Sequence, residues 1–170
     1  DVSRLSRGLV ELHVERVRAA DIAEAVAELH RIACANKGLH LQVRAKARGP
    51  MLRVDRRRII QALSNYVSNA IKFTPAGGRV SIAVHHARRQ VSFVVSDSGP
   101  GIRESERRLI FERFRQGALV ARARPEGLGL GLYLVRTFVE WHGGHVWVTR
   151  NPGGGSRFGF TIPLGSSRKV

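Results

Sequence analysis

The sequence is poor in cysteine, in acidic residues and in long apolar runs, and each shortage excludes something. One cysteine in 170 residues, Cys34, rules out an internal disulfide framework and any cysteine-based zinc cluster. It also suits a reducing compartment, and its place among apolar helix positions reads as a buried small hydrophobe. No uninterrupted apolar stretch approaches the ~20 residues of a membrane span, and no signal-peptide pattern opens the sequence. The expectation is a soluble chain working in the cytoplasm. What is present is ordinary: 43% hydrophobic and 25% charged residues exclude wholesale disorder. The length suits one domain, and a chain of this size buries about 70% of its unfolded surface.

Acidic residues number 13 against 29 Lys and Arg, for a net charge of +16. Such a balance attracts anions of any kind. Only four of the basic residues are lysine, and the arginines are scattered through the sequence: Arg16, Arg18, Arg44, Arg48, Arg88, Arg89, Arg107 and Arg108. The tightest run is Arg56-Arg57-Arg58. Scatter argues against a dedicated nucleic-acid surface, so no nucleic acid is expected. An anionic small ligand or an acidic partner fits better.

Periodicity gives the elements. Residues 1–8 read as a helix end with Gly8 available as its C-cap. Val10, Leu12 and Val14 alternate with polar residues as a half-buried strand. Asp21 is a candidate N-cap for a helix with Ile22, Val26, Leu29, Ile32 and Ala33 on one face, stopped at Gly38. Leu39, Leu41 and Val43 make a strand broken by Gly49-Pro50. A short stretch, Met51 to Val54, leads to Asp55, the N-cap candidate of a helix carrying Ile59, Ile60, Leu63, Val67, Ala70 and Ile71 and ending near Thr74-Pro75. Val80, Ile82 and Val84 pair with Val91, Phe93 and Val95 as a hairpin whose tip, His85-His86, reads as solvated. Residues 115–127 have no period and read as a long lid-like loop. A helix follows from Leu130 to Trp141, stopped by Gly143-Gly144. Strands around Val146–Val148 and Phe158–Ile162 close the chain. The two tryptophans, Trp141 and Trp147, read as packing residues. The fold class is α/β, a two-layer sandwich with helices on one face of a mixed sheet.

Four segments carry candidate chemistry. Asn65 and Asn69 lie four apart with Lys72 near one turn further, so two amides and an ammonium share a helical face. Amide oxygens suit Mg²⁺ and the ammonium offsets phosphate charge, although a solvated amphipathic face would look the same. Asp97-Ser-Gly99-Pro-Gly101-Ile102 ends an apolar strand. It can present a carboxylate, a good acceptor for an exocyclic amine such as adenine's, beside a close backbone approach; a plain turn would also fit. Phe111-Glu112-Arg113-Phe114-Arg115 opens the loop, with two aromatics as anchors and Arg113 and Arg115 free to meet phosphate, or it is a short helix end. Gly127-Leu128-Gly129-Leu130-Gly131-Leu132 runs into a helix whose free N–H groups suit phosphate. It is neither a Walker loop nor the dinucleotide fingerprint.

Taken together and in this order, the four segments resemble the N, G1, F and G2 boxes of the catalytic ATP-binding domain of bacterial sensor histidine kinases. These belong to the Bergerat-fold (GHKL) superfamily of ATPases and kinases. His142-Gly-Gly144 and Gly155 to Pro163 resemble that family's closing hairpin, so the likeness spans residues 8–164. It implies a Bergerat fold with an ATP lid. Residues 1–8 would be the end of the dimerisation helix, 9–165 the catalytic domain and 166–170 a tail. The implied ligands are ATP and Mg²⁺. Asp97 would take the adenine amine, supported by Gly99, Gly101, Ile102 and Thr161. Asn69 with Asn65 would hold Mg²⁺. Phe73 would flank the nucleotide. Lys72, Arg113 and Arg115 would offset phosphate charge beside the backbone of Gly127 to Leu132.

The resemblance also implies the reaction. In water-activating relatives a Glu stands where this chain has Asn65, and an amide cannot take a proton at neutral pH. A histidine nitrogen needs no such base, so the expected activity is γ-phosphoryl transfer to a histidine rather than hydrolysis. None of the seven histidines has the acidic-then-basic context of a phosphoacceptor. The acceptor is therefore expected outside this chain, on the dimerisation domain of the same parent kinase. A response-regulator receiver would be the next partner. The parent is expected to be a homodimer, this chain a monomer, and anchoring of the parent in the inner membrane is left open. The alternatives are an anti-sigma-type Ser/Thr kinase or a degenerate nucleotide- or DNA-binding module. Leu128 stands where the family usually has Thr.

Overall fold

Strand β1 (Val14–Arg18) runs directly into helix α1 (Ala19–Asn36), which leads through the left-handed Gly38 to β2 (His40–Arg44). Then come β3 (Met51–Asp55), α2 (Arg56–Phe73), the hairpin β4 (Arg79–Ala87) and β5 (Gln90–Asp97), and a single 3₁₀ turn at Glu104–Glu106. Helix α3 (Gly131–Trp141) and strands β6 (His145–Arg150) and β7 (Ser156–Pro163) complete the order. The computed structural model describes residues 11–46, 48–112 and 130–165. The helix expected at 1–8, the whole of the lid expected at 115–127 and the tail lie outside the described residues.

The main sheet has the order β2-β4-β5-β7-β6, with β2 parallel to β4 and the other neighbours antiparallel. It is the mixed sheet expected. The predicted hairpin forms, with the two apolar triplets offset by two residues: Val80, Ile82 and Val84 face Asp97, Val95 and Phe93, and Val91 faces His86. All three helices pack with the apolar face of this sheet in one core that includes Ile59, Leu63, Tyr66, Phe93, Phe138 and Phe160. The aromatic members interlock, Phe93 stacking on Phe160 with centroids 5.1 Å apart and Tyr66 tilted against Phe158 at 5.3 Å.

Three expectations need correction. Of the alternation expected at Val10, Leu12 and Val14, Val10 lies outside the described residues and Leu12 precedes the strand. The strand begins at Val14, which is exposed, and pairs antiparallel with β3 as a separate two-stranded ribbon. Met51 to Val54, expected only as a lead-in, is that partner strand. The pairing is non-local and neither partner alternates cleanly, so no local pattern announces it.

Helix α1 is capped at Arg18 rather than Asp21, which sits inside the first turn where a carboxylate suits the helix dipole. Its buried side is a band of Ala19, Ala20, Ala23 and Ala27 with Ile22, Val26 and Cys34. Leu29 and Ile32 are 66% and 75% exposed and Ala33 is exposed too. Small side chains let α1 approach its neighbours closely, and the contact arc therefore centres on the alanines, away from the larger residues. Cys34 is buried, as expected, and burial pushes its thiol pKa up.

Candidate functional site

Helix α2 is the backbone of the site. Asp55 caps it, Oδ1 accepting the Arg58 N–H at 3.1 Å, and the buried face below is Ile59, Ala62, Leu63, Tyr66, Val67 and Ala70. Asn65, Asn69 and Lys72 fall along the border of that face; both asparagines are half-buried and Lys72 is exposed. Neither asparagine amide is engaged by a hydrogen bond among the described residues. The Lys72 ammonium lies 5.7 Å from the ring centroid of its neighbour Phe73. Helix α3 starts against this face: a Cβ on Gly131 would sit 3.5 Å from Asn65 Oδ1. The segment expected to bind phosphate thus reaches the segment expected to bind metal.

Two clamps fix α2 at its ends. The Lys37 ammonium donates to the carbonyls of Ile71 at 2.5 Å and Lys72 at 2.9 Å, a cation placed on the C-terminal carbonyls of the helix. At the other end the Asp55 N–H donates to His142 Nε2 at 2.9 Å, while His142 Nδ1 lies 2.6 Å from the Phe138 carbonyl. Nδ1 therefore carries the proton and donates, and the ring is neutral. Burial holds its pKa below the ordinary value, opposed by the Phe138 carbonyl and the Asp55 charge. Neither Lys37 nor His142 was marked as a site residue by its pattern, because each acts on main-chain atoms of a distant element.

Asp97 ends β5 as a buried carboxylate. Its Oδ1 accepts the Gly99 N–H at 2.8 Å and the Ser156 N–H at 3.2 Å, and Asn151 Nδ2 donates to its carbonyl oxygen at 3.0 Å. Both described bonds to the carboxylate fall on Oδ1. Burial raises the pKa, and the two N–H donors pull it back. The surroundings are glycine because nothing else fits. A Cβ on Gly155 would collide with the Asp97 carbonyl, and one on Gly99 would come within 2.9 Å of Oδ1 and 3.1 Å of the Phe73 carbonyl. Gly101, at φ +79°, packs on Gly155, and half-buried Ile102 closes onto the core.

Thr161 does not belong to this group. It pairs across the sheet with Ser92, not Asp97, and its hydroxyl lies 2.9 Å from the Ser92 hydroxyl. Phe158, Phe160 and Ile162 face the core, so strand alternation turns Thr161 to the opposite face, and it sits five residues along β5 from the carboxylate. Ser156 and Gly155 occupy the position beside Asp97 instead. The alternation in Phe158-Gly-Phe160-Thr-Ile162 was the signal that could have found this.

Of the loop residues, Phe111 is buried and meets Phe158 edge-on at 6.3 Å, as an anchor should. Leu130 precedes the first turn of α3, accepting the Leu134 N–H at 2.9 Å, and Leu132 packs on the core. Arg113, Arg115, Gly127, Leu128 and Gly129 lie outside the described residues. Trp141 packs beside Phe138 at 5.6 Å, and Trp147 lies over Gly159, so both are packing residues. His85 and His86 are exposed, as solvated residues should be, but they lie within β4 opposite Ser92 and Val91, and the hairpin tip is Arg88-Arg89 instead. Among the described residues no cluster of three or more His, Cys, Asp and Glu could hold a metal, and no helix is long and apolar enough to cross a membrane. A cation here would need amide and phosphate oxygens.

The chain has known relatives. The family model for histidine kinase-, DNA gyrase B- and HSP90-like ATPases matches residues 54–166. The adaptive-response sensory kinase SasA of Synechocystis sp. is 34% identical over 169 residues, covering 96% of this chain and 43% of the relative. The chain therefore spans less than half the length of that kinase. Full-length ShkA in complex with AMPPNP superposes with a TM-score of 0.83 at 33% identity, over 95% of this chain and 33% of that one. The histidine kinase ThkA, in complex with the response regulator TrrA, superposes with a TM-score of 0.80 at 25% identity, over 99% and 47%.

Proposed function

Because the chain belongs to the histidine kinase-, DNA gyrase B- and HSP90-like ATPase family, we propose that it is the ATP-binding catalytic domain of a two-component sensor histidine kinase. It binds ATP with Mg²⁺ and donates the γ-phosphoryl group to a histidine outside this chain, for relay to a response-regulator aspartate. The names of the similar proteins support the reading: a sensory kinase, a kinase holding an ATP analogue, and a kinase holding a response regulator.

The observation that carries it is Asp97. A buried carboxylate with Oδ1 saturated by two main-chain donors has Oδ2 left for one more, and an adenine amine supplies it. Gly99, Gly101 and Gly155 keep the neighbourhood shallow enough for a flat base, and Phe73 flanks it. One helix away from the base, Asn69 and Asn65 offer uncommitted amide oxygens. Mg²⁺ held there with the phosphates would offset the charge that develops on them during transfer. Lys72, Arg113 and Arg115 add positive charge, and the Gly127 to Leu132 backbone leads into the N-terminus of α3. Asn65 cannot deprotonate water, so the site favours an acceptor with its own lone pair, the imidazole nitrogen. The partners are then the dimerisation domain of a homodimeric parent and a receiver domain.

Isothermal titration with AMPPNP, with and without Mg²⁺, tests the site. Wild type should bind in a Mg²⁺-sensitive manner, and Asn69→Ala should weaken Mg-nucleotide far more than metal-free nucleotide. Equal losses would remove Asn69 from the metal. Addition of a dimerisation domain bearing the acceptor histidine should yield an acid-labile phosphoprotein; steady ATP hydrolysis without it would overturn the kinase reading.

A further inference from the structure

Three arginines that look scattered in the sequence, Arg16, Arg18 and Arg53, share the outer face of the β1–β3 ribbon. Arg16 and Arg53 are direct cross-strand partners, and both are exposed. Like charges directly opposed in an antiparallel pair are destabilising. Arg18 faces Met51 on the same side. Arg56 and Arg57, also exposed, follow within three or four residues of Arg53, so the chain keeps Arg56 within about 10 Å of it. They occupy the first turn of α2, which has no acidic residue and where the helix dipole disfavours cations. No ion pair relieves Arg16, Arg53, Arg56 or Arg57 among the described residues. Glu15 is on the other side of the ribbon, opposite Val54, and the Asp55 carboxylate is buried on the N–H groups of His13 and Arg58.

The same face also exposes apolar side chains. Val14 and Met51, 36% and 39% exposed, are two of the large hydrophobic residues left outside the core, and both interleave with the arginines. Arginine set among methionine and valine is the composition of protein interfaces, which favour Arg and Met and deplete Lys. A nucleic-acid surface would be expected to add aromatic platforms or a longer basic track, and the ribbon is five residues long with no aromatic.

We propose that the outer face of the β1–β3 ribbon is a protein-docking surface for a partner that presents carboxylates flanked by apolar side chains. Carboxylates meet the central Arg16 and Arg53 in bidentate pairs and remove their mutual repulsion, while Val14 at one end of the ribbon and Met51 at the other take the flanking apolar contacts. The surface does not depend on the nucleotide reading. It lies at the N-terminal end of α2, about 25 Å along the helix from Phe73.

The test uses the whole chain and two probes, a helical peptide alternating glutamate with leucine and a duplex DNA, titrated at low and moderate salt. Arg16→Glu/Arg53→Glu should weaken the peptide at least about tenfold. Arg88→Glu/Arg89→Glu, the same charge change at the exposed β4–β5 turn, should weaken it less than about threefold. Met51→Ser, at unchanged charge, should cost a further severalfold. Arg53→Glu alone guards against misfolding, because it creates an attractive pair with Arg16: it should hold or raise Tm and still weaken the peptide. Equal losses in the two double variants would show only the diffuse field of a +16 chain and overturn the proposal. So would peptide binding that is absent at low salt, or DNA binding that is tighter and equally dependent on the ribbon.

Discussion

Gly155 lies directly against the main chain of Asp97, so close that a side chain there would overlap the Asp97 carbonyl, and its φ of +88° is one that L residues rarely adopt. The contact joins the turn after β6 to the end of β5 and brings the Ser156 N–H onto the carboxylate. Gly155→Ala should therefore displace Asp97 and destabilise the fold by about 2–4 kcal/mol, from collision and backbone strain together. Thermal unfolding and AMPPNP titration of the variant check both effects. A stable variant with wild-type affinity would mean that the cradle around Asp97 is not the adenine site.

Asp97→Asn separates recognition from folding. The amide oxygen can still accept from Gly99 and Ser156, but an NH₂ replaces the free oxygen and opposes the adenine amine. Affinity should fall roughly 100-fold, about 3 kcal/mol. Stability should move the other way. Burial raises the Asp97 pKa, so the folded state binds a proton more readily than the unfolded chain and this residue's share of stability declines as pH rises above the ordinary carboxylate range. Removal of the charge should leave Tm at pH 7 unchanged or slightly higher. Wild-type affinity in this variant would sink the adenine assignment.

Thr161→Val should leave nucleotide affinity within about twofold while costing about 1 kcal/mol from the Ser92 hydroxyl pair. Side-by-side titration and melting of this variant distinguish a sheet-face role from a binding role. A large affinity loss would restore Thr161 to the site.

The His142 clamp predicts a pH dependence. Its pKa is lowered below the ordinary 6.5, chiefly by burial, and only the neutral ring can accept the Asp55 N–H. Stability from this bond is present above pH 6.5 and is lost as pH falls through the folded-state pKa. The charged group acting on the ring is Asp55, at the end of β3. His142→Phe should cost about 1–3 kcal/mol at pH 7.5 by orphaning a buried N–H, and should flatten the acid limb of a Tm-versus-pH profile. His30, whose pKa burial also lowers, keeps a slope of the same sign in that variant.

Where function is carried by one element, the sequence was readable. Helix α2 announces itself through the Asp55 cap and its apolar spacing, and the asparagines stand where that spacing puts them. Alternation showed the inward faces of β4 and β5 and put Asp97 at a strand end, while the offset that sets Val84 against Phe93 came from the turn at Arg88-Arg89. Thr161 was readable and misread, since alternation in β7 excludes it from the Asp97 face. The β1–β3 ribbon and the exposed flank of α1 were not readable: one depends on a partner strand far along the chain, the other on which side of an alanine-rich helix its neighbours approach.

The sequence alone determined the order of the main-sheet strands and the helices, the inward and outward faces of α2 and the main hairpin, and the residue types able to hold a nucleotide. Those are set by local periodicity, which each segment carries in itself. Tertiary structure alone decided that Ser156 and Gly155 reach Asp97, that His142 holds the start of α2, and that Arg16 stands opposite Arg53. These meetings depend on which buried surfaces close on one another, and side-chain periodicity within a segment is blind to its partner.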